Sequence, residues 1–466
     1  MTVAALSMPP AGMKASFLER IAESFAAAGV RYCQWKGHWK RARWIAGHGD
    51  ADLLVAPESL SAMLDILHAA GFRATAAPED HRQAGTWHYR APDPDNGQLL
   101  HIHVHTRLLI EAARGVIYRL PIEAALLESR RPGDLFPIPA PELEALVLVL
   151  RTTVRWASWR RVPTDTREEL SYLERQTDTE ALLAALARHL PAVDSETYRH
   201  CRRALERHAS WRARWVARRG LTRALAPMAQ EPGFWVRVAH ALAAAAWHLR
   251  GGPRPYSRAR LTAGGVMVAL VGTDGSGKST CTHALKSWLI KHVATLAFHI
   301  GRPPRSLLTF FVGALRKVLP VPQLDWLRYV CTARDRYRLV LRASRFALEG
   351  GISLTERYPI GLDHALVGPR VRELAGANPS ALARWLTEIE ERYYRRMPAP
   401  DHVFVLDVDP DVAVRRKTDE PSDYVRARAE AMKQIDWRDS GAHVIDASVP
   451  LSDVIADLKA AVWKAL

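Results

Sequence analysis

Cysteine is scarce in this chain of 466 residues: Cys33, Cys201, Cys281 and Cys331 are the only four. No two form a CxxC pair and none stands at zinc-site spacing from histidines. A disulfide framework is therefore excluded, and reduced thiols in a cytoplasmic protein are expected. Long apolar runs are missing as well. No window reaches about eighteen uncharged apolar residues, so no membrane span is expected. The opening MTVAALSMPPAGMKASFLER lacks the basic-then-apolar order of a signal peptide. The nearest approaches to a span are FWVRVAHALAAAAWHLR (234–250) and SLLTFFVGALRKVLP (306–320), each broken by Arg, His or Lys. Both read as amphipathic helices; burial in a core is expected, with a membrane surface as the alternative. Internal repeats and low-complexity tracts are absent too.

Acidic residues are the minority charge, 49 against 65 Lys plus Arg, for a net charge of +16. That surplus favours anionic partners such as nucleotides, nucleic acid, acidic polysaccharide or a membrane surface. With 48% hydrophobic and 24% charged residues the chain is of globular composition, which excludes wholesale disorder. Its length suggests two or three domains.

Three textures divide it. Residues 1–135 mix helices such as SFLERIAESFAAAG with strands such as ADLLVA and LLHIHVHTRLL, an α+β pattern. Residues 136–262 are a helical connector rich in Ala, Leu, Arg and Trp, closed by the linker GGPRPYSRARLTAGG. Its VRWASWRR and ASWRARWVARR clusters suit either stacking on nucleic acid or, more plainly, a helical bundle with Trp inside and Arg outside. In residues 263–466, VMVALV, ATLAFHI, GGISLTE, HVFVLDV and AHVIDA alternate with helical stretches. This predicts an α/β fold with a parallel sheet covered by helices.

The last region opens with VMVALVGTDGSGKST. GTDGSGKS fits G-x-x-x-x-G-K-[ST] at every fixed position, with an apolar strand before it and a helix after it. Glycines let the backbone close around phosphate, so that N–H groups at a helix start point inward. Gly272, Thr273, Gly275, Ser276, Gly277, Lys278, Ser279 and Thr280 are the expected contacts to ATP. Lys278 is the point charge on the β- and γ-phosphates, and Ser279 the ligand to Mg²⁺.

The extended loop GTDGSGKST resembles that of the thymidylate kinase family. ARDRYRLVLRASRFALEGGISLTERY, VFVLDVDPDVAVRRK and HVIDAS with LSDVIADLKAAVW resemble its later elements, covering about Val266 to Leu466. The resemblance implies roles. Glu356 would hold Mg²⁺ or orient the acceptor, and Asp274 would contact the acceptor. Arg336 and Arg357 would neutralise the acceptor's anionic group, and Tyr358 would join them in binding the substrate. Arg415 and Arg416, with Arg426 and Arg428, would close over the transferring phosphoryl. Two stretches depart from that family: FHIGRPPRS replaces its Glu-Pro segment, and PIGLDHALVGPRV replaces the stretch that frames thymine. The implied chemistry is phosphoryl transfer, with thymidylate only one candidate acceptor.

In the first region Asp50 and Asp52 flank Ala51 on a strand, so both carboxylates leave the same face, as paired Mg²⁺ ligands for nucleotidyl transfer do. GVRYCQWKGHWKRARWIAGHGDADLLV resembles the nucleotidyltransferase superfamily of DNA polymerase β. Here, however, Lys36-Gly37-His38 stands in the turn and His103 where a third acid is expected. His101, His103 and His105 share one strand face, which suits either a transition metal or a polar, partly buried surface.

Taken whole, the chain resembles bacterial two-part proteins linked to surface polysaccharide or natural-product pathways. The reading is an ATP- and Mg²⁺-dependent phosphotransferase acting on a small or carrier-linked acceptor, either a nucleoside monophosphate or sugar-like, which the first region binds or presents. Nucleotidyl transfer through Asp50 and Asp52 and an ATP-controlled binding switch are the alternatives. Peripheral membrane contact, nucleic acid and a homodimer stay open as partnerships.

Overall fold

A capping box starts the first helix, α1 (Phe17–Ala27): Ser16 Oγ accepts from the Glu19 amide, and Glu19 Oε2 accepts from the Ser16 amide at 2.7 Å. The computed structural model describes residues 16–40, 49–77, 85–112, 116–155, 161–230, 259–360, 369–437 and 441–466. Two units result, Met1–Pro253 and Arg254–Leu466.

In the first unit, β1 (Tyr32–Lys36), β2 (Ala51–Val55), α2 (Leu60–Ala69), β3 (Arg73–Ala76), β4 (Thr86–Pro92) and β5 (Leu99–His105) follow α1. Its strands lie in the order β1-β2-β5-β4-β3. Only the β2–β5 pair is parallel among them. The period of two sorts β2 and β5 cleanly. Ala51, Leu53 and Val55, with Leu100, Ile102 and Val104, pack against Leu18, Ile21, Phe25, Met63 and Leu67 of α1 and α2. Asp52 and the alternating histidines are thereby left to the opposite face.

Strands β6 (Leu109–Glu111), β7 (Ile117–Arg119) and β8 (Ala229–Gln230) form a small antiparallel sheet. Helices α3 (Glu123–Glu128), α4 (Pro141–Arg155), α5 (Thr164–Glu174), α6 (Thr179–His189), α7 (Ser195–Ala204) and α8 (Trp211–Ala224) surround a core centred on α4. Leu143 through Leu150 are all buried there. That core also contains Cys33, Trp35 and Leu54. The helical segment therefore shares its interior with the first sheet. Trp211 and Trp215 are not in it. They are 57% and 47% exposed, with the guanidiniums of Arg212 and Arg219 over their rings at 5.5 and 5.2 Å. This corrects the expectation of Trp inside for ASWRARWVARR: α8 turns Ala217 and Leu221 inward instead. The tryptophans of VRWASWRR, the stretch 234–250 and the linker residues 251–258 lie outside the described residues.

The second unit contains β9 (Arg260–Leu261), β10 (Val266–Gly272), α9 (Lys278–Leu289), β11 (Thr295–His299), α10 (Leu307–Val318), α11 (Pro322–Leu348) and β12 (Ile352–Glu356). These are followed by α12 (Val371–Ala375), α13 (Ala381–Arg395), β13 (His402–Asp407), α14 (Pro410–Arg416), α15 (Ser422–Lys433), β14 (His443–Asp446) and α16 (Leu451–Ala465). The sheet is parallel as expected, in the order β11-β12-β10-β13-β14. Central β10 is buried along Met267–Gly272, and the chain leaves it for β11 on one side before crossing to β13 on the other. The carboxyl end of β10 is thus a switch point, where such sheets bind ligands. The four cysteines are buried free thiols.

Helix α10 departs from expectation. Its apolar residues are not in a core: Leu307, Phe310, Phe311 and Val318 are exposed, and only Thr309 and Val312 are buried. No helix among the described residues is long and apolar enough to cross a membrane.

Gly265 fixes where β10 begins. Its amide donates to the Ala347 carbonyl at 3.0 Å, and a Cβ there would stand 1.9 Å from the Gly351 carbonyl oxygen. Backbone on that side cannot yield without moving β12. Gly265→Ala is expected to destabilise the second unit by about 1–3 kcal/mol, read as a lower unfolding midpoint in urea.

Candidate functional site

The loop between β10 and α9 has the conformation its glycines permit. Gly275 and Gly277 both adopt φ +85°. A Cβ on Gly275 would meet the Ala413 carbonyl oxygen at 2.7 Å, so the loop lies directly on α14. Gly277 is the N-cap of α9 and offers no side chain to its first amides, which leaves them to an outside acceptor. Lys278 is buried and folds back to donate to the Thr273 carbonyl. Burial pushes its pKa down to about 8; Asp274 opposes this, while Arg357 and Arg428 add to it.

Around the lysine stands a charge cluster assembled from four elements. Asp274 is buried and accepts from Arg357 at 2.5 Å on one oxygen and from Arg428 at 3.1 Å on the other. Arg357 follows β12 and Arg428 lies on α15. Arg428 also donates to the Tyr424 hydroxyl at 2.9 Å. Arg357 has φ +53°, the left-handed region, which a non-glycine residue holds only when its surroundings enforce it, at about 1–3 kcal/mol. The Ser279 hydroxyl donates to Glu356 Oε2 at 2.8 Å. Hydroxyl and carboxylate together are the oxygen pair that a hard divalent cation would take.

The remaining sequence candidates divide. Arg336, on α11, donates to the Tyr394 hydroxyl and to the Gly301 carbonyl at 3.3 Å. Gly301 in turn packs against Arg357: a Cβ there would lie 2.8 Å from Arg357 Cδ. Arg416 donates to the carbonyls of Ala447 at 2.7 Å and Val449 at 3.4 Å, tying α14 to the segment after β14. Arg415 is exposed, and Arg426 pairs with exposed Asp411 at 2.6 Å. Tyr358 is packed differently from these arginines. Its ring lies in the core with Met267 and Val340, and its hydroxyl donates to the Pro398 carbonyl at 2.7 Å. Burial raises that hydroxyl's pKa to about 12. Both ring and hydroxyl are thus engaged within the fold.

Sequence reasoning missed a basic cavity of about 390 Å³ that starts at Gly301 and runs between α10 and α11. Arg302, Arg305, Arg316, Lys317 and Arg328 line it. Its carboxylate, Asp335, is buried and already engaged, accepting from the Ser306 amide at 3.0 Å and the Thr309 hydroxyl at 2.5 Å. The signal was in view: GRPPRS holds two arginines, and ALRK adds two more cations on the helix that follows.

The first unit gathers its own cluster. Asp50 and Asp52 do project together, as expected. Lys36 Nζ lies 2.9 Å from Asp52 Oδ1, with His103 Nδ1 at 3.2 Å and His105 Nε2 at 3.1 Å; His103 Nδ1 also meets Asp50 Oδ2 at 2.9 Å. Burial opposes charge on Asp52, yet Lys36 and the imidazoles hold its pKa well below the carboxylate range. Burial works against the His103 cation too, but the two carboxylates raise its pKa to about 9. Burial, with neighbouring cations, drives His88 down to about 3 and His101 well below its usual value. Neither Lys36 nor His88 stood among the sequence candidates; each comes from a strand adjoining the one that carries its partners.

No family model matches the chain. Among curated proteins it is similar to two records of an "Uncharacterized ATP-binding protein YghR", from Escherichia coli strain K12 and from Escherichia coli O6:H1. Each is 25% identical over 227 residues, 42% of this chain and 86% of the relative.

The Tyr358 assignment is testable. Tyr358→Phe strands the Pro398 carbonyl and is expected to cost about 1–3 kcal/mol of stability while leaving nucleotide affinity unchanged. Denaturant unfolding and calorimetric titration with a nucleotide read the two separately.

Proposed function

We propose that the second unit transfers the γ-phosphoryl group of ATP to an anionic acceptor held in the basic cavity beside Arg357. One observation carries this reading: the cations of the phosphate loop and those of the cavity are contiguous, from Lys278 and Arg428 through Asp274 and Arg357 to Gly301 and Arg302. The relatives' name, an ATP-binding protein, supports the nucleotide half.

The amides at the start of α9 and the Lys278 ammonium would bind the β- and γ-phosphates, with Lys278 exchanging the Thr273 carbonyl for phosphate oxygen. Ser279 and Glu356 would hold Mg²⁺, which when bound spreads charge away from the phosphate oxygens. An acceptor oxygen attacks the γ-phosphorus while the bond to the β–γ bridging oxygen breaks and ADP departs; a proton carried by the acceptor oxygen is lost to solvent. Such a reaction needs positioning and distributed positive charge more than a strong base. Arg357 and Arg428 supply that charge at the loop. Asp274, engaged by both, orients them and does not itself grip the acceptor.

The acceptor chemistry follows from the cavity. Arg302, Arg305 and Lys317 have no carboxylate partner among the described residues, whereas Arg316 and Arg328 share Asp325. A phosphorylated or carboxylated small molecule, free or carrier-linked, fits that surplus. These contacts lie within the second unit, so the first unit need not present the acceptor. Nucleotidyl transfer at Asp50 and Asp52 is the weaker reading, because Lys36, His103 and His105 already crowd Asp52 Oδ1.

The test is transfer of labelled γ-phosphate by the full chain to a panel of nucleoside monophosphates, sugar phosphates and a polyprenyl phosphate. Lys278→Ala is expected to lower kcat by roughly 10²–10³. Arg302→Ala with Arg305→Ala is expected to raise the acceptor KM about tenfold or more at unchanged ATP affinity. Nucleotidylated products with release of pyrophosphate would overturn the proposal.

A pH dependence follows from Lys278. Its pKa near 8 without phosphate means that the cation is present below pH 8 and lost above it. Affinity for a non-hydrolysable ATP analogue should therefore fall by up to about tenfold per pH unit above 8, and Lys278→Met should remove that slope.

A further inference from the structure

Three histidines in the first unit form a constellation separate from the phosphate site. His101 and His103 alternate along β5, and His88 of β4 is the cross-strand partner of His103. One ring nitrogen from each lies within 4.8 Å of the others. His88 Nδ1 and His101 Nε2 are 3.4 Å apart. A tetrahedral ion with bonds of about 2.0–2.1 Å to nitrogen sets its ligand atoms about 3.3–3.4 Å apart. The His88–His101 pair already has that edge length.

We propose that His88, His101 and His103 bind a divalent transition metal of the zinc class, with a fourth coordination position open. The decisive group is His103. Its Nδ1 is committed to Asp50 and Asp52, while its Nε2 is buried and has no hydrogen-bond partner among the described residues. A polar atom left so is destabilising, and a metal on Nε2 would satisfy it. A carboxylate holding one imidazole nitrogen while the other ligates is the arrangement that fixes a metal-binding histidine. The metal takes the place of any proton on Nε2, and that proton goes to solvent. The acids thus orient a ligand and are not ligands themselves, which is why Lys36 can sit on Asp52 without blocking the site.

His105 does not join the three, although the sequence groups it with His101 and His103. Its Nε2 is on Asp52 and its Nδ1 on the Thr86 hydroxyl at 3.1 Å, with the ring edge against Trp35. Cross-strand His88 takes its place. Three protein nitrogens suit zinc, cobalt or nickel and leave a position for water or an anionic ligand.

The test uses the full chain stripped with chelator and titrated with zinc by calorimetry and with cobalt(II) by absorption. One equivalent of zinc and a tetrahedral cobalt spectrum are expected. His88→Gln and His101→Gln should each weaken zinc about 100-fold or more, and Asp50→Asn, which only loosens the His103 ring, about 10–100-fold. His189→Gln, on helix α6, should change nothing. X-ray absorption on the unsubstituted zinc protein should count three imidazoles, a readout that does not depend on any variant folding. Absence of saturable zinc binding, fewer than three imidazoles, or unchanged affinity in a folded His88→Gln/His101→Gln double variant would each overturn the proposal.

Discussion

The second unit depends on one carboxylate. Asp274 sits buried between Arg357 and Arg428 with Lys278 alongside. Three cations gathered at a dehydrated loop would repel one another, and removing one partner of such a buried cluster typically costs about 3–5 kcal/mol. In the absence of phosphate, Asp274 is the anion that lets them stay. It also accounts for two otherwise odd features. Arg357 tolerates a left-handed backbone because its guanidinium is held at 2.5 Å from Asp274. Lys278 keeps a depressed pKa because one carboxylate, shared with two arginines, cannot fully offset burial. On the function proposed above, phosphate oxygens would answer that deficit.

The first unit solves the mirror problem by register. Strand period two sends the apolar residues of β2 and β5 to one core and Asp52, His101, His103 and His105 to the other face. There two carboxylates face Lys36 and His103. The charges balance in pairs, which is why so many ionisable groups can be buried together.

What could be read from sequence was local. GTDGSGKS, the strand before it and the helix after it specify the loop, and the alternation of apolar runs specifies a parallel sheet; both α/β architecture and loop position were legible for that reason. So was the pairing of Asp50 with Asp52, since it needs only the strand period. The illegible parts depend on distant chain. Arg428 reaches Asp274 across 154 positions, and the cavity cations come from a loop and two helices. Whether Tyr358 turns to an acceptor or to the Pro398 carbonyl depends on where the end of α13 packs. The amphipathic pattern of α10 was correctly a helix, but amphipathicity does not say whether an apolar face finds a core, and here Phe310 and Phe311 do not.

The arginine surplus also gains meaning only in three dimensions. An exposed pair such as Arg31 with Glu58 contributes about 0–1 kcal/mol and tells nothing of function. Arg302, Arg305 and Lys317 differ because they surround a concavity whose own carboxylate, Asp335, is already engaged by Ser306 and Thr309. Low-dielectric walls around like charges strengthen their attraction for an anion. On the function proposed above, an anionic ligand would offset the repulsion among these cations, which solubility alone would not require to stand together.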